Sequence, residues 1–184
     1  MENSIDYQFL SSVEGGSRTN GYVPVAGQSK SGVTIATGFD LGQRKENDLK
    51  KLNLDLNLIS KLSLYLGVKG IEAQRLIKKK PLVINISQAK EIDKAVKKSH
   101  INQLVMRYNA ASPHMFFSKL PPQAQTVIAS LSFQYGVNLN ISAPNFWHSV
   151  IIQDWSSAIK ELQDFGDIYP TRRNKEAKLL EEIK

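Results

Sequence analysis

The chain has 184 residues, no cysteine, and a formal net charge of +7 from 24 Lys and Arg against 17 Asp and Glu. That length supports one compact domain, or two lobes, and buries about two-thirds of the unfolded surface without staples. The missing thiols exclude a disulfide scaffold, a thiolate metal site and a cysteine nucleophile.

The first predicted element is a helix over residues 4–14, with Ser4 as its cap and Ile5, Phe9 and Val13 on one apolar face. Gly15-Gly16 end it, which places Glu14 in its last turn. Residues 15–32 hold five glycines and one proline and read as loop, with a short strand at Tyr22-Val23. The period then drops to two. Across residues 33–40, Val33, Ile35 and Phe39 point one way, while Thr34, Ala36, Gly38 and Asp40 point the other, predicting a short strand with one open face. From residue 47 the chain reads as helices: one marked by Leu58, Leu62 and Leu66, and a short one from Ile71 to Lys80 before Pro81. A long helix opened by Ser87 would span about 30 Å over some 20 residues. Further helices carry Val127, Ile128 and Leu131 up to Gly136, start at Pro144, and are capped by Asp154 and Thr171. The order predicts an α+β fold, mostly helical, with the sheet confined near the N-terminus.

Three residues point to chemistry. The negative end of a helix dipole, and any burial, favour a protonated carboxyl at Glu14, which is what general-acid catalysis needs. An exposed terminal glutamate is the plain alternative. Asp40 and Thr34 share the open strand face, but in a straight strand they lie about 20 Å apart, so they cooperate only if the chain bends, with Gly38 the obvious place. Two carboxylates flanking a cleft, one protonated and one ionised, meet the requirement for cleaving a glycosidic bond, and a threonine beside the second can hold the water. A turn residue before Gly42 and ordinary strand propensity are the plain readings of Asp40 and Thr34. His100, His114 and His148 form no ligand spacing, so no metal or cofactor is expected. Neither a nucleophile elbow nor a phosphate loop is present.

The basic charge suits polyanions: nucleic acid, anionic membrane or wall polymer, though solubility alone also accounts for it. Lys78-Lys79-Lys80 and Lys97-Lys98 are short runs without interleaved aromatics, so no nucleic-acid partner is expected. No apolar run approaches the roughly 20 residues of a membrane span. Met1-Glu2-Asn3-Ser4 opens no basic-then-apolar signal peptide, so no membrane insertion is expected and delivery must come from elsewhere.

Three pieces occur in order near the N-terminus: Val13-Glu14-Gly15-Gly16, Asn20-Gly21-Tyr22-Val23-Pro24 and Ser31-Gly32-Val33-Thr34-Ile35-Ala36-Thr37-Gly38-Phe39-Asp40-Leu41-Gly42. Phe133-Gln134-Tyr135-Gly136, Pro144-Asn145-Phe146-Trp147 and Tyr169-Pro170-Thr171-Arg172-Arg173-Asn174-Lys175-Glu176 follow at matching spacing. The set resembles phage-type lysozymes, and in particular the pesticin-like lysozyme toxin domains, over most of the chain. The resemblance implies a single lysozyme-like catalytic domain. Its small β-containing N-terminal lobe, roughly 1–90, and larger helical lobe, roughly 105–184, are joined by the long helix near 88–109, with the cleft between them.

Carried over by resemblance, the catalytic glutamate falls on Glu14, the catalytic threonine on Thr34 and the second carboxylate on Asp40. Simpler phage lysozymes place the aspartate before the threonine, but residues 15–33 contain no Asp or Glu. Thr37 is a competing threonine. Gln134 matches a glutamine of the saccharide cleft, and Tyr22 and Thr37 join it as candidate substrate contacts. Arg172 or Arg173 matches an arginine that pairs with the catalytic glutamate. The implied activity is a muramidase cutting the β-1,4 bond between N-acetylmuramic acid and N-acetylglucosamine, as an antibacterial toxin domain or a phage endolysin. The implied partners are peptidoglycan and an inhibitor protein that protects a producing cell, and the chain acts as a monomer at the wall after delivery by another domain, a holin or a secretion system. A non-catalytic wall-binding module, a lytic transglycosylase and a helical nucleic-acid-binding protein are the rival readings.

Overall fold

The computed structural model describes residues 3–24 and 30–183. The centre of the predicted loop, residues 25–29, lies outside the described residues. The chain divides into two compact units, one of Met1–Val13 with His100–Lys184, the other of Glu14–Ser99. Each has its own hydrophobic core.

In the unit of residues 14–99, β1 (Arg18–Tyr22), β2 (Thr34–Ala36) and β3 (Phe39–Asp40) form an antiparallel sheet in the order β1-β2-β3. Three short helices follow: α2 (Glu46–Lys51), α3 (Leu56–Ser63) and α4 (Gly70–Lys79). Val33, Ile35, Leu41, Leu49, Leu58, Leu62 and Ile92 are fully buried and form the centre of this core. The long helix α5 (Ile86–Ala111) is 26 residues, and its residues 86–99 belong to this unit. Asn85, not Ser87, opens it. The Asn85 side chain accepts from the Gln88 amide at 2.8 Å and the Gln88 side chain accepts from the Asn85 amide at 3.1 Å, two helix-end donors satisfied reciprocally.

The second unit takes α1 (Tyr7–Val13), the rest of α5, and α6 (Pro122–Tyr135), α7 (Leu139–Ser142), α8 (Pro144–Ile151), α9 (Trp155–Gln163) and α10 (Pro170–Glu181). Placing residues 1–13 here corrects the expectation that the N-terminal lobe begins at residue 1. The cause is local: the Ser4 amide donates to Gln125 and the Asp6 amide to Thr126, while Ile5 and Leu10 join the α6 core. Asp6, not Ser4, caps α1 by accepting from the Gln8 and Phe9 amides. Pro144 starts α8 and Asp154 caps α9, but α10 opens at Pro170, without a Thr171 cap.

His100, where α5 passes into this unit, stacks on Phe133 with ring centroids 4.6 Å apart. Ser132 Oγ spends its proton on the Ala129 carbonyl, so His100 Nε2 donates to Ser132 Oγ across 3.0 Å. Burial pushes the imidazole below its ordinary range. The unfolded chain then takes up the proton first, so stability is lost as pH falls below about 6.5. Urea unfolding between neutral pH and pH 5.5 should show this decline, and His100→Gln should flatten it.

Candidate active site

The run 33–40 is a hairpin rather than one strand. It folds back at Thr37-Gly38, where Gly38 has φ +81° and Ala36 also turns left-handed at φ 52°. The fold-back sets Asp40 directly opposite Thr34, and Thr34 opposite Tyr22 on β1. Cross-strand partners share a face with Cβ atoms about 5 Å apart, so Tyr22, Thr34 and Asp40 form one row across the sheet. The 20 Å separation of a straight strand disappears.

The proposed open face is not open along its length. Thr34 and Ala36 are 3% and 1% exposed, and Asp40 is half-buried. Thr34 Oγ1 donates to the Gly32 carbonyl at 3.3 Å. Beside Tyr22, the Arg18 guanidinium lies 4.3 Å from the ring centroid. Val33, Ile35 and Phe39 bury as expected.

Asp40 uses one oxygen for structure. Its Oδ1 accepts from the Gly42 amide at 2.8 Å and the Gly32 amide at 2.9 Å, capping the 3-10 turn Leu41–Gln43. Gly32 and Gly42 stand back to back: a Cβ on Gly42 would lie 2.6 Å from Gly32 Cα and 2.7 Å from the Val68 carbonyl. Gly42→Ala should therefore push both amides off Oδ1 and cost about 1–3 kcal/mol by overpacking. Urea unfolding and substrate turnover should fall together in this variant.

Glu14 lies one residue beyond α1 rather than in its last turn. Its Oε2 meets Lys97 Nζ of α5 at 2.7 Å, with side chains only 12% and 22% exposed. Thr37, the competing threonine, is half-buried and tied to α5: its amide donates to Asp93 Oδ1 at 2.9 Å and its hydroxyl to Asp93 Oδ2 at 3.0 Å. Its hydroxyl proton is thus committed, leaving only acceptor capacity for a ligand.

Gln134, Arg172 and Arg173 come together in the other unit around Glu176, which is fully buried. Arg173 donates to Glu176, to Gln134 Oε1 and, at 3.0 Å, to Asp167. Arg172 donates to Glu176 at 3.1 Å, to the Ser130 carbonyl at 2.8 Å and to the Val13 carbonyl at 3.3 Å. Burial pushes the Glu176 carboxyl up, against the pull of both guanidiniums. Tyr135 donates to Asp167, and burial together with that carboxylate pushes its phenol up to about 12. The cation facing Glu14 within its own unit is therefore Lys97, and the carboxylate shared by both arginines is Glu176.

Residues 4–156 match a family model described as pesticin, a bacterial toxin homologue of phage lysozyme, C-terminal region. The chain belongs to the pesticin family. Among curated proteins no match to the chain was found. Pesticin-family membership makes this a lysozyme-like α+β domain of the peptidoglycan-acting toxin type. The matched span holds Glu14, Tyr22, Thr34, Thr37, Asp40, Lys97 and Gln134, while Arg172 and Arg173 lie beyond it. Among the described residues, no group of three or more His, Asp or Glu could hold a metal ion, and no helix is long and apolar enough to cross a membrane.

Sequence reading missed Lys97, Asp93 and the Gly32–Gly42 contact. The glycine pair had a signal: both flank the strand run with Asp40 between them. Lys97 and Asp93 had none, because charged residues on a long helix ordinarily face solvent.

Proposed function

We propose that this domain is a muramidase, hydrolysing the β-1,4 bond between N-acetylmuramic acid and N-acetylglucosamine in peptidoglycan. Glu14 donates a proton to the bridging oxygen. Asp40 stabilises the positive charge that develops on the sugar or activates the attacking water. Thr34, the cross-strand neighbour of Asp40, orients that water by the acceptor capacity of Oγ1. Tyr22 extends the row as a saccharide contact, with Thr37 and Gln134 as further contacts. Arg172 and Arg173 are supporting residues, through the network around Glu176 in the helical unit. The observation that carries this reading is the row Tyr22–Thr34–Asp40, in which the second carboxylate is half-buried with one oxygen fixed by two backbone amides. A carboxylate held in this way on a strand can serve as the partner to a separate general acid.

The domain reaches the wall by delivery from another domain, a holin or a secretion apparatus, acts there as a monomer, and meets an inhibitor protein in producing cells. The positive charge favours an anionic polymer, and binding weakens as salt screens it.

Digestion of purified peptidoglycan with mass spectrometry of the products tests the reading. Hydrolysis releases muropeptides ending in a reducing N-acetylmuramic acid. Products lighter by one water, with an anhydro end, would make the domain a lytic transglycosylase. Binding without product would make it a wall-binding module.

A further inference from the structure

Glu14 is weakly held by its own segment. It follows the end of α1, and the next residues, Gly15 and Gly16, are exposed with open space where a Cβ would stand. Its described ion-pair partner is Lys97 on α5, at 2.7 Å. The hairpin carrying Thr34 and Asp40 is held to the same helix. Asp93 takes both the amide and the hydroxyl of Thr37, in the turn between β2 and β3. Asp93 and Lys97 are four residues apart, so they lie on one face of α5, one turn from each other. One helical turn therefore grips the general acid by one side chain and the hairpin of the second carboxylate by the other.

We infer that Asp93 and Lys97 are positioning residues that set the spacing of Glu14 and Asp40. This inference rests on the muramidase reading above. The spacing matters because the separation of the two carboxyl groups decides whether a water fits between them and the sugar. A rigid helix is a better mount for this than the glycine-flanked segment, since small misplacements of catalytic groups cost rate rather than affinity.

The test is steady-state kinetics of the whole domain on soluble peptidoglycan strands, with thermal unfolding alongside. Lys97→Met and Asp93→Ala should each lower kcat by about tenfold or more, with KM within about twofold. Lys97→Arg and Asp93→Asn, which keep a cation and an acceptor respectively, should recover most of the loss. In a Glu14→Gln background, Lys97→Met should remove no further activity, because the group it positions has lost its proton-donating role. If Lys97→Met unfolds the protein, Lys97→Gln makes the same comparison. An unchanged kcat in Lys97→Met, or losses that the conservative variants fail to restore, would overturn the inference while leaving Glu14 as the acid. Full activity in Glu14→Gln would instead overturn the muramidase reading itself.

Discussion

Replacing Glu14 by Gln leaves a folded protein whose turnover on peptidoglycan falls by about 10²- to 10⁴-fold, the range a general acid contributes. The glutamine has the size of the acid, and its Oε1 can still accept from Lys97, so the local packing survives. What it lacks is a proton it can give to the bridging oxygen. Asp40 gives a sharper comparison. Asparagine at 40 keeps an Oδ1 that accepts from the Gly32 and Gly42 amides, so the cap of the 3-10 turn remains while the charge is gone. Alanine at 40 loses both. Asp40→Asn should therefore lose activity with an almost unchanged melting temperature. Asp40→Ala should lose activity and also about 1.5–3 kcal/mol for each charge-assisted bond that is not replaced. Rates from product release and melting curves, taken on the same preparations, separate the two roles. Equal activity of Asp40→Asn and wild type would remove Asp40 from the mechanism.

Glu176→Ala should be the most destabilising single change in the helical unit, by about 3–5 kcal/mol. Glu176 is fully buried and receives Ser130, Arg172 and Arg173, and Arg173 is itself only 2% exposed. Without Glu176, the Arg173 guanidinium keeps Asp167 and Gln134 but loses its main counter-charge in a dry environment. Removing one member of a buried pair costs more than the pair contributes, because the remaining charge is left poorly solvated. For a chain of this length the melting temperature should drop by roughly 2–4 °C per kcal/mol. Circular dichroism melts, with Trp fluorescence following α8 and α9, would show it. A drop no larger than that of an exposed substitution would mean the network is reached by water. The same variant tests whether Arg172 and Arg173 support catalysis through this cluster, since activity measured well below the melting temperature should then also fall.

The alternation Val33, Ile35, Phe39 was readable because burial on a strand imposes a period of two, and the structure buries all three. Gly38 was readable as a bend because few other residues accept a left-handed backbone. That one bend turned a 20 Å separation into a cross-strand pair. The exposure of Thr34 was not readable. Alternation tells which side a residue faces, but not whether that side is covered, and here it is. The first helix shows the same limit. Its periodicity located it, but its capping residue and its assignment to the second unit depend on Gln125 and Thr126, more than a hundred residues away. Lys97 and Asp93 were invisible for a related reason. Their partners are set by tertiary contact, and a lysine in a helix carries no mark of which carboxylate it will meet.

The open space beside Gly15 and Gly16 offers a practical handle. The chain contains no sulfhydryl, so a single cysteine introduced at Gly16 would be the unique attachment point for a thiol-reactive fluorophore. Neither glycine has a backbone angle that a larger residue resists, and nothing stands where its first side-chain atom would go. A dye seated there, two residues from Glu14, would report arrival of a glycan strand as a change in emission, even in variants that no longer cut it.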